Sequence, residues 1–180
     1  MAVLKYILPL AMTVISLFSC SNNESLQRYL VDKQDDDKFL KVDVATSLLQ
    51  SDENTLSEEQ KEILNTVKKI NVVAYKIKDG NMADYEAEKG KLAAIVSQEK
   101  YKTLMKYGSK NKGATLKYLG EEDAIDEVVV FASDNEQGFA VFRLSGNNMR
   151  PDQIMKLIGS VENGDIDISK LSGLGDIFKM

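Results

Sequence analysis

Hydrophobic and polar residues alternate in four consecutive segments in the second half of the chain. The segments 101–107 and 114–119 are polar on one face, whereas 128–132 and 139–144 are apolar on both faces. Alternation is typical of strands, and strands that are apolar on both faces lie in the covered centre of a sheet. Because short turn-rich stretches separate the four segments, the pattern predicts an antiparallel meander.

Apolar residues at helical spacing predict helices on either side of this meander. The predicted helices cover 26–34, Ser57–Ile70, Met82–Gln98 and a segment from Pro151 through Ile158, with shorter ones at 48–49 and 169–174. Two further strands are predicted at 39–44 and 72–77. The fold class is therefore α+β, a mostly antiparallel sheet with a C-terminal four-strand meander and helices packed on the sheet.

Some individual residues carry more specific structural predictions. Ser57 and Gln60 have the spacing of a capping box, which starts a helix by satisfying free backbone N–H groups. Gly90 lies inside a predicted helix, where it suggests a close helix–sheet contact. Val130 and Val141 are expected to be buried. Three methionines are also expected in the core rather than at a copper site, which would need clustered sulfur ligands: Met82, Met105 and Met155.

The first twenty residues have the order of a bacterial lipoprotein leader. Lys5 precedes the apolar run 6–18, and Ser19 precedes Cys20, the single cysteine. The apolar run is shorter than the roughly 20 residues that a membrane-spanning helix requires. The sequence thus predicts a signal peptide over 1–19, a tether over 20–25 whose Cys20 is acylated, and one domain over 26–180.

Two other interpretations of this leader are an ordinary secretory signal and a short membrane anchor. Phe18 is larger than the residue that usually stands there in a lipoprotein leader. Ser21, rather than aspartate, follows the cysteine, and no acidic run comes directly after it. We expect residence in the outer membrane, facing the periplasm, with the membrane as partner through the lipid on Cys20.

Composition narrows the chemistry that this chain could perform. There is no histidine, so Ser-His-Asp and Cys-His catalysis and imidazole metal sites are excluded. The 28 acidic residues outnumber the 23 basic ones, which disfavours nucleic acid as a partner and argues against a polybasic membrane patch. We expect no cofactor.

Acidic clusters offer candidates for metal binding or catalysis. The run 35–37 and the segment 163–167 could bind calcium, but the first has no nearby glycine, and Lys170 stands where an EF-hand loop needs glutamate. The clusters 121–123 and 126–127 could pair carboxylates for acid–base chemistry. In all four places a solvated turn or loop explains the acids more simply, so no catalytic or metal-binding residue is assigned.

Arg143 stands among apolar neighbours and, by alternation, shares a face with Phe139 and Val141. A buried arginine needs a carboxylate partner. Arg143 could anchor a ligand, but we interpret it as a strand-end arginine at the rim of the sheet.

Residues 125–131 and 138–146 are predicted strands, and 151–157 belong to a predicted helix. Together these three segments resemble a lipoprotein family of Bacteroides-type bacteria that is labelled only as a domain of unknown function, and the likeness extends over most of 26–172. The resemblance implies a small α+β domain in a Gram-negative envelope. It implies no catalytic residues.

Three functions remain open from the sequence. The first is a lipid-anchored, non-enzymatic binding or structural module whose ligand or envelope protein partner is unknown. The second is a carboxylate-dependent hydrolase, which would need acids with raised pKa values in a cleft. The third is an envelope sensor that signals to a membrane regulator. A recognition surface is expected at an edge strand or in a cleft between helix and sheet.

Overall fold

The protein forms a six-stranded antiparallel sheet with helices on both faces. The computed structural model describes residues 24–47, 56–78, 80–109 and 111–163. The strands are β1 (Phe39–Ala45), β2 (Val67–Lys76), β3 (Lys102–Gly108), β4 (Lys112–Glu121), β5 (Ala124–Asp134) and β6 (Gly138–Met149). The helices are α1 (Leu26–Asp32), α2 (Glu58–Thr66), α3 (Met82–Val96) and α4 (Pro151–Glu162).

The strand order across the sheet is β1-β2-β6-β5-β4-β3. The predicted meander is confirmed, because β3, β4, β5 and β6 follow one another as antiparallel neighbours. The two earlier strands extend the sheet beyond β6, and β1 and β3 form its edges. The α+β class is therefore confirmed, with the two strands that are apolar on both faces at the centre.

One face of the sheet, here called the aromatic face, is covered by α1 and α3. Its core joins buried residues of both helices to the strands beneath them. Five rings lie at its centre, with centroids of neighbouring rings between 5.1 and 6.5 Å apart: Tyr29, Phe39, Tyr75, Tyr85 and Phe139. The inward residues of α3 were predicted correctly, because Tyr85, Leu92, Ile95 and Val96 are all buried.

The opposite face, here called the aliphatic face, is covered in part by α2 and α4. Ile63 and Leu64 of α2 and Ile154 and Leu157 of α4 pack against β4, β5 and the end of β6. The capping box of α2 is present as predicted, since Ser57 accepts from the N–H of Gln60 and the Gln60 side chain accepts from that of Ser57. Two amphipathic helices thus close one half of this face.

The predicted helix Ser57–Ile70 was too long. Helix α2 ends at Thr66, and Val67 begins β2. Ile70 pairs with Val44 on one side and Leu144 on the other. The spacing of Ile63, Val67 and Ile70 fits a helix, but pairing to two strands satisfies the backbone of 67–70 equally well, and the tertiary contacts decide between them. Helix α1 likewise ends at Asp32 rather than near Gln34.

Other burial predictions had mixed outcomes. Val141 is fully buried as predicted, whereas Val130 is only half-buried and lies on the aliphatic face. Gly90 is exposed, and a Cβ there would meet nothing within 4 Å, so the predicted close helix–sheet contact was wrong. The three methionines expected in the core were also wrong, because Met82, Met105 and Met155 are between 42% and 48% exposed. The apolar faces of their elements are filled by other side chains.

Candidate functional site

A buried ion pair lies on the aromatic face, beside the cluster of rings along the two central strands. The Arg143 guanidinium contacts Glu127 Oε2 from both Nε and Nη2, at 2.7 and 2.6 Å. The Tyr101 hydroxyl donates to the other oxygen of Glu127 at 2.9 Å. Because Glu127 stands on β5 and Arg143 on the adjacent β6, the pair forms across two central strands. Both side chains are at most 15% exposed, so the pair is shielded from water.

The same arginine joins helix α1 to strands β1 and β2. Its Nη1 donates to Gln27 Oε1 at 2.6 Å and to Asn71 Oδ1 at 3.4 Å. Asn71 in turn donates to Asp43, whose second oxygen accepts from Lys69 Nζ at 2.8 Å. A continuous polar network therefore connects α1 with four strands of the sheet.

The pKa shifts in this network disfavour proton transfer near neutral pH. Burial alone would raise the pKa of Asp43, but the hydrogen bonds from Lys69 and Asn71 outweigh it and hold the pKa below its usual range. Burial, together with the neighbouring Glu127 carboxylate, raises the pKa of the Tyr101 hydroxyl well above its usual range. Asp43 thus stays ionised and Tyr101 stays protonated, which suits fixed hydrogen bonds better than acid–base catalysis.

A cleft of about 220 Å³ lies beside this network, between α1 and the first two strands. Its apolar wall comes from α1 and its polar wall from strand residues that include Asp43, Lys69 and Asn71. The Lys41 ammonium at its edge donates to the backbone carbonyls of Gln34 and Asp36. A helix–sheet cleft was expected, but its polar groups already bond to one another and leave little capacity for a ligand.

A larger cavity lies over the aliphatic face, beyond the half that α2 and α4 cover. Its volume is about 330 Å³. A transverse row with an alanine on each of the four inner strands and a larger residue on each edge strand crosses this face, and the alanines of β4, β5 and β6 line the cavity. In register this row runs Leu40, Ala74, Ala140, Ala132, Ala114, Tyr107.

The alanine row explains why there is space above the sheet. An alanine side chain is a single methyl group, so Ala114, Ala132 and Ala140 line a depression rather than fill it. Phe142 lines a second side of the cavity, and Tyr107, which is 79% exposed, stands at its rim. We call this cavity the alanine trough.

One end of the alanine trough carries charge. Lys112 Nζ and Asp134 Oδ2 form an ion pair at 3.0 Å, and both residues line the cavity. The backbone N–H of Glu136 and the Lys112 ammonium hold the pKa of Asp134 below its usual range. The arrangement, an apolar floor with a charged end, is typical of small-molecule sites, which are mostly apolar with a few polar groups.

The interpretation of Arg143 as a strand-end residue at the sheet rim was wrong. Arg143 lies within β6, with strands on both sides, and its face was predicted correctly. Its carboxylate partner, Glu127, was predicted to be a solvated acid and is buried instead. The arginine keeps its charge in the core because Glu127, Gln27 and Asn71 satisfy it.

The remaining candidates lie apart from this network. Asp36 of the run 35–37 caps a turn by accepting from the backbone N–H of Lys38, and Glu121 contacts Lys102 at 3.6 Å near the surface. Among the described residues, no three His, Cys, Asp or Glu side chains are grouped as a metal site. Cys20 and most of 163–167 lie outside the described residues.

Sequence reasoning missed both the hydrogen-bond network and the alanine row. Tyr101 and Asn71 gave no signal, because their partners are far away along the chain. The alanine row did leave a signal, since an alanine stands on the same face of each inner strand. That signal becomes visible only when the strand register is known.

In the part of the chain that the structure describes, no helix combines the length and apolar character that crossing a membrane requires. No curated protein and no solved structure matches the chain. A family model described as a domain of unknown function, DUF4252, matches residues 29–157. This range begins in α1 and ends in α4, so it includes the whole sheet. The chain therefore belongs to the DUF4252 family, a domain of unknown function.

Proposed function

We propose that this protein is a lipid-anchored lipoprotein of a Gram-negative envelope, held in the outer membrane on the periplasmic side. The proposal rests on the order of residues 5–20, in which one lysine, a short apolar run and a small residue precede the single cysteine. The resemblance to lipoproteins of Bacteroides-type bacteria supports it. Several acyl chains on Cys20 would give stable anchoring, which one chain alone does not.

The domain on this anchor works by binding rather than by catalysis. Every described carboxyl group with a shifted pKa is shifted downward, namely Asp43, Asp84, Glu88 and Asp134. A carboxylate-dependent hydrolase needs an acid whose pKa is raised. These shifts favour the binding module over the hydrolase.

The alanine trough is the ligand site of this module, and the single observation that carries the proposal is its row of small side chains. The ligand has an apolar body, which contacts Ala132, Ala140 and Phe142, and a polar head near Lys112. A volume of about 330 Å³ is at the small end of the roughly 300–1,000 Å³ range of ligand pockets. The site therefore takes a small amphipathic molecule.

Mass spectrometry of the protein purified from membranes tests the anchor. We expect a peptide that begins at Cys20 and carries acyl chains, and a Cys20→Ser variant without lipid that no longer stays with membranes. Retention of lipid by Cys20→Ser would contradict the anchor.

A fluorescent probe with an aromatic body and a sulfonate head, anilinonaphthalene sulfonate, tests the alanine trough. We expect Ala132→Leu to weaken probe binding at least tenfold, because the larger side chain fills the floor. Ala94→Leu, the same change at an exposed position of α3, is the matched control and should bind normally. Circular dichroism verifies that both variants fold. Equal binding by the two variants would rule out the alanine trough as the ligand site.

A further inference from the structure

Strand β3 has an outer edge that faces no described strand. Among the described strands it is the last of the sheet and pairs with β4 alone. The backbone N–H and C=O groups along such an edge are free to pair with another extended segment. The strand is exposed on both faces, with Met105 (44%) and Tyr107 (79%) on the aliphatic face and Lys106 on the aromatic face.

The charge of this region is opposite to that of the whole chain. Residues 100–120 contain six lysines and no acidic residue, whereas the formal net charge of the chain is −5. Lys102 and Lys112 have carboxylate partners, Glu121 and Asp134. Neither Lys106 nor Lys117 forms an ion pair with a described residue.

The two faces of β3 differ in chemistry. Lys106 lies on the aromatic face of β3 and pairs in register with Thr115 of β4. Lys117 lies on the same face of β4, two residues from Thr115. Burial and the nearby charge of Lys106 lower the pKa of Lys117. Met105 and Tyr107 pair with Leu116 and Ala114 on the aliphatic side.

We propose that the outer edge of β3 receives an extended segment of a partner protein in which acidic residues alternate with apolar residues. Side chains of a strand alternate between faces. The acidic residues would therefore lie beside Lys106, on the face where Lys117 adds positive charge one strand further in, and the apolar ones beside Met105 and Tyr107. Opposite charges in adjacent strands stabilise the pairing, and backbone hydrogen bonds supply the rest of the affinity.

A second copy of this chain fits the edge less well than an acidic partner. Two β3 edges would bring Lys102 and Lys106 of each copy to one junction, where like charges repel. Lysines on edge strands also prevent unwanted self-pairing, and that protective role is the competing explanation for their presence. The two explanations differ in one respect, because only a docking edge binds an acidic strand selectively.

Synthetic peptides of the length of β3, seven residues, test the proposal on the full chain purified in a non-ionic detergent. The test peptide alternates glutamate and valine. The first control has the same composition in two blocks, the second alternates lysine and valine, and the third is the test peptide N-methylated at every amide, so that neither of its edges can donate hydrogen bonds. Fluorescence anisotropy measures binding, and amide hydrogen exchange locates it.

We expect only the unmodified glutamate–valine peptide to bind, and to slow exchange in β3 and not in the other edge strand, β1. Lys106→Glu combined with Lys117→Glu should weaken its binding at least tenfold and allow the lysine–valine peptide to bind. The matched control, Lys76→Glu with Lys78→Glu, changes two exposed lysines elsewhere and should bind as the unmodified protein does.

Equal binding of the block peptide, absence of protection in β3, or equal weakening by the control variant would each overturn the inference. Tyr107 lies at the rim of the alanine trough as well as on β3, but this edge would bind a strand of a partner protein and not a small molecule, so the inference goes beyond the proposed function. Absence of acyl groups from Cys20 would overturn the anchor, and selective binding of the peptide at β3 would leave this inference standing.

Discussion

The two faces of the sheet are built on different principles. The aromatic face is filled by interlocking rings and by a polar network whose charged members are paired, and α1 and α3 cover it. The aliphatic face has helices over one half and a row of alanines on the other. Where the alanine row crosses the sheet, the inner strands thus carry rings such as Tyr75 and Phe139 on the aromatic face and single methyl groups on the aliphatic face.

This difference separates stability from recognition. A face whose side chains are large and mutually satisfied resists change, because removing one part leaves a cavity or an unpaired charge. A face with small side chains keeps space that a ligand can fill. We therefore expect substitutions on the aromatic face to affect unfolding, and substitutions in the alanine trough to affect binding.

The largest loss of stability is expected for Phe139→Ala. Phe139 contacts four other rings and is 1% exposed, so its removal should lower the free energy of unfolding by about 3–5 kcal/mol. Phe142→Ala is the matched control on the aliphatic face. Because Phe142 is half-buried, its loss should cost only about 1–2 kcal/mol. Urea denaturation measures both, and equal losses would contradict the division between the faces.

The next largest effect is expected where the buried ion pair is broken on one side. Glu127→Leu leaves Arg143 without its carboxylate, which should cost about 3 kcal/mol in urea denaturation. Adding Arg143→Met should restore most of this loss, because two apolar side chains remove the unpaired charge.

Asp152→Asn is the control for this pair. It breaks the exposed contact with Arg150 and should cost no more than about 1 kcal/mol. If the Glu127→Leu and Arg143→Met double variant were less stable than Glu127→Leu alone, the network would depend on Arg143 for more than pairing one charge.

How well the sequence predicts the two faces of the sheet depends on how far apart the contacting residues lie in the chain. The meander and the capping box arise from residues close together in the chain, and both were predicted correctly. The partners of Arg143 are 16, 72 and 116 residues away, so alternation gave its face but not its environment. The end of α2 was missed for a related reason, because Val67 pairs with Gly146, far along the chain.

The alanine trough could not be predicted in the same way. Each alanine by itself is an ordinary strand residue, and the row forms only when Ala74, Ala114, Ala132 and Ala140 come into register. Strand order and register are set by the whole sheet. A site made of small residues therefore leaves a weaker trace in one sequence than a site made of reactive ones.

A change of pH is expected to have a smaller effect on the free energy of unfolding. Its size tests the contact that Glu88 makes between α1 and α3. Burial alone would raise the pKa of Glu88, but hydrogen bonds from Lys91 and Lys33 hold it below the ordinary 4.5. A carboxyl group whose pKa is lowered by folding stabilises the protein above that ordinary value, and the contribution is lost as the pH falls through the folded-state pKa.

We therefore expect Glu88→Gln to lower the unfolding free energy at pH 7 and to flatten its decline below pH 4.5. Glu86→Gln, an exposed change on the same helix, should leave the pH curve of urea denaturation unaltered. A Glu88→Gln protein that lost stability on acidification as steeply as the unmodified protein would show that other carboxyl groups govern the acid limb.

The smallest change in stability is expected for Ala132→Leu, and it tests the alanine trough directly. Ala132 is half-buried beside the cavity, so the added atoms enter existing space and should alter the unfolding free energy by no more than about 0.5 kcal/mol. Ala74→Leu is the same change in the same row at a fully buried position, where overpacking should cost about 1–3 kcal/mol. Urea denaturation of both variants compares them. Equal costs would mean that Ala132 lies in packed core, and the small side chains of the aliphatic face would then serve close packing instead of ligand binding.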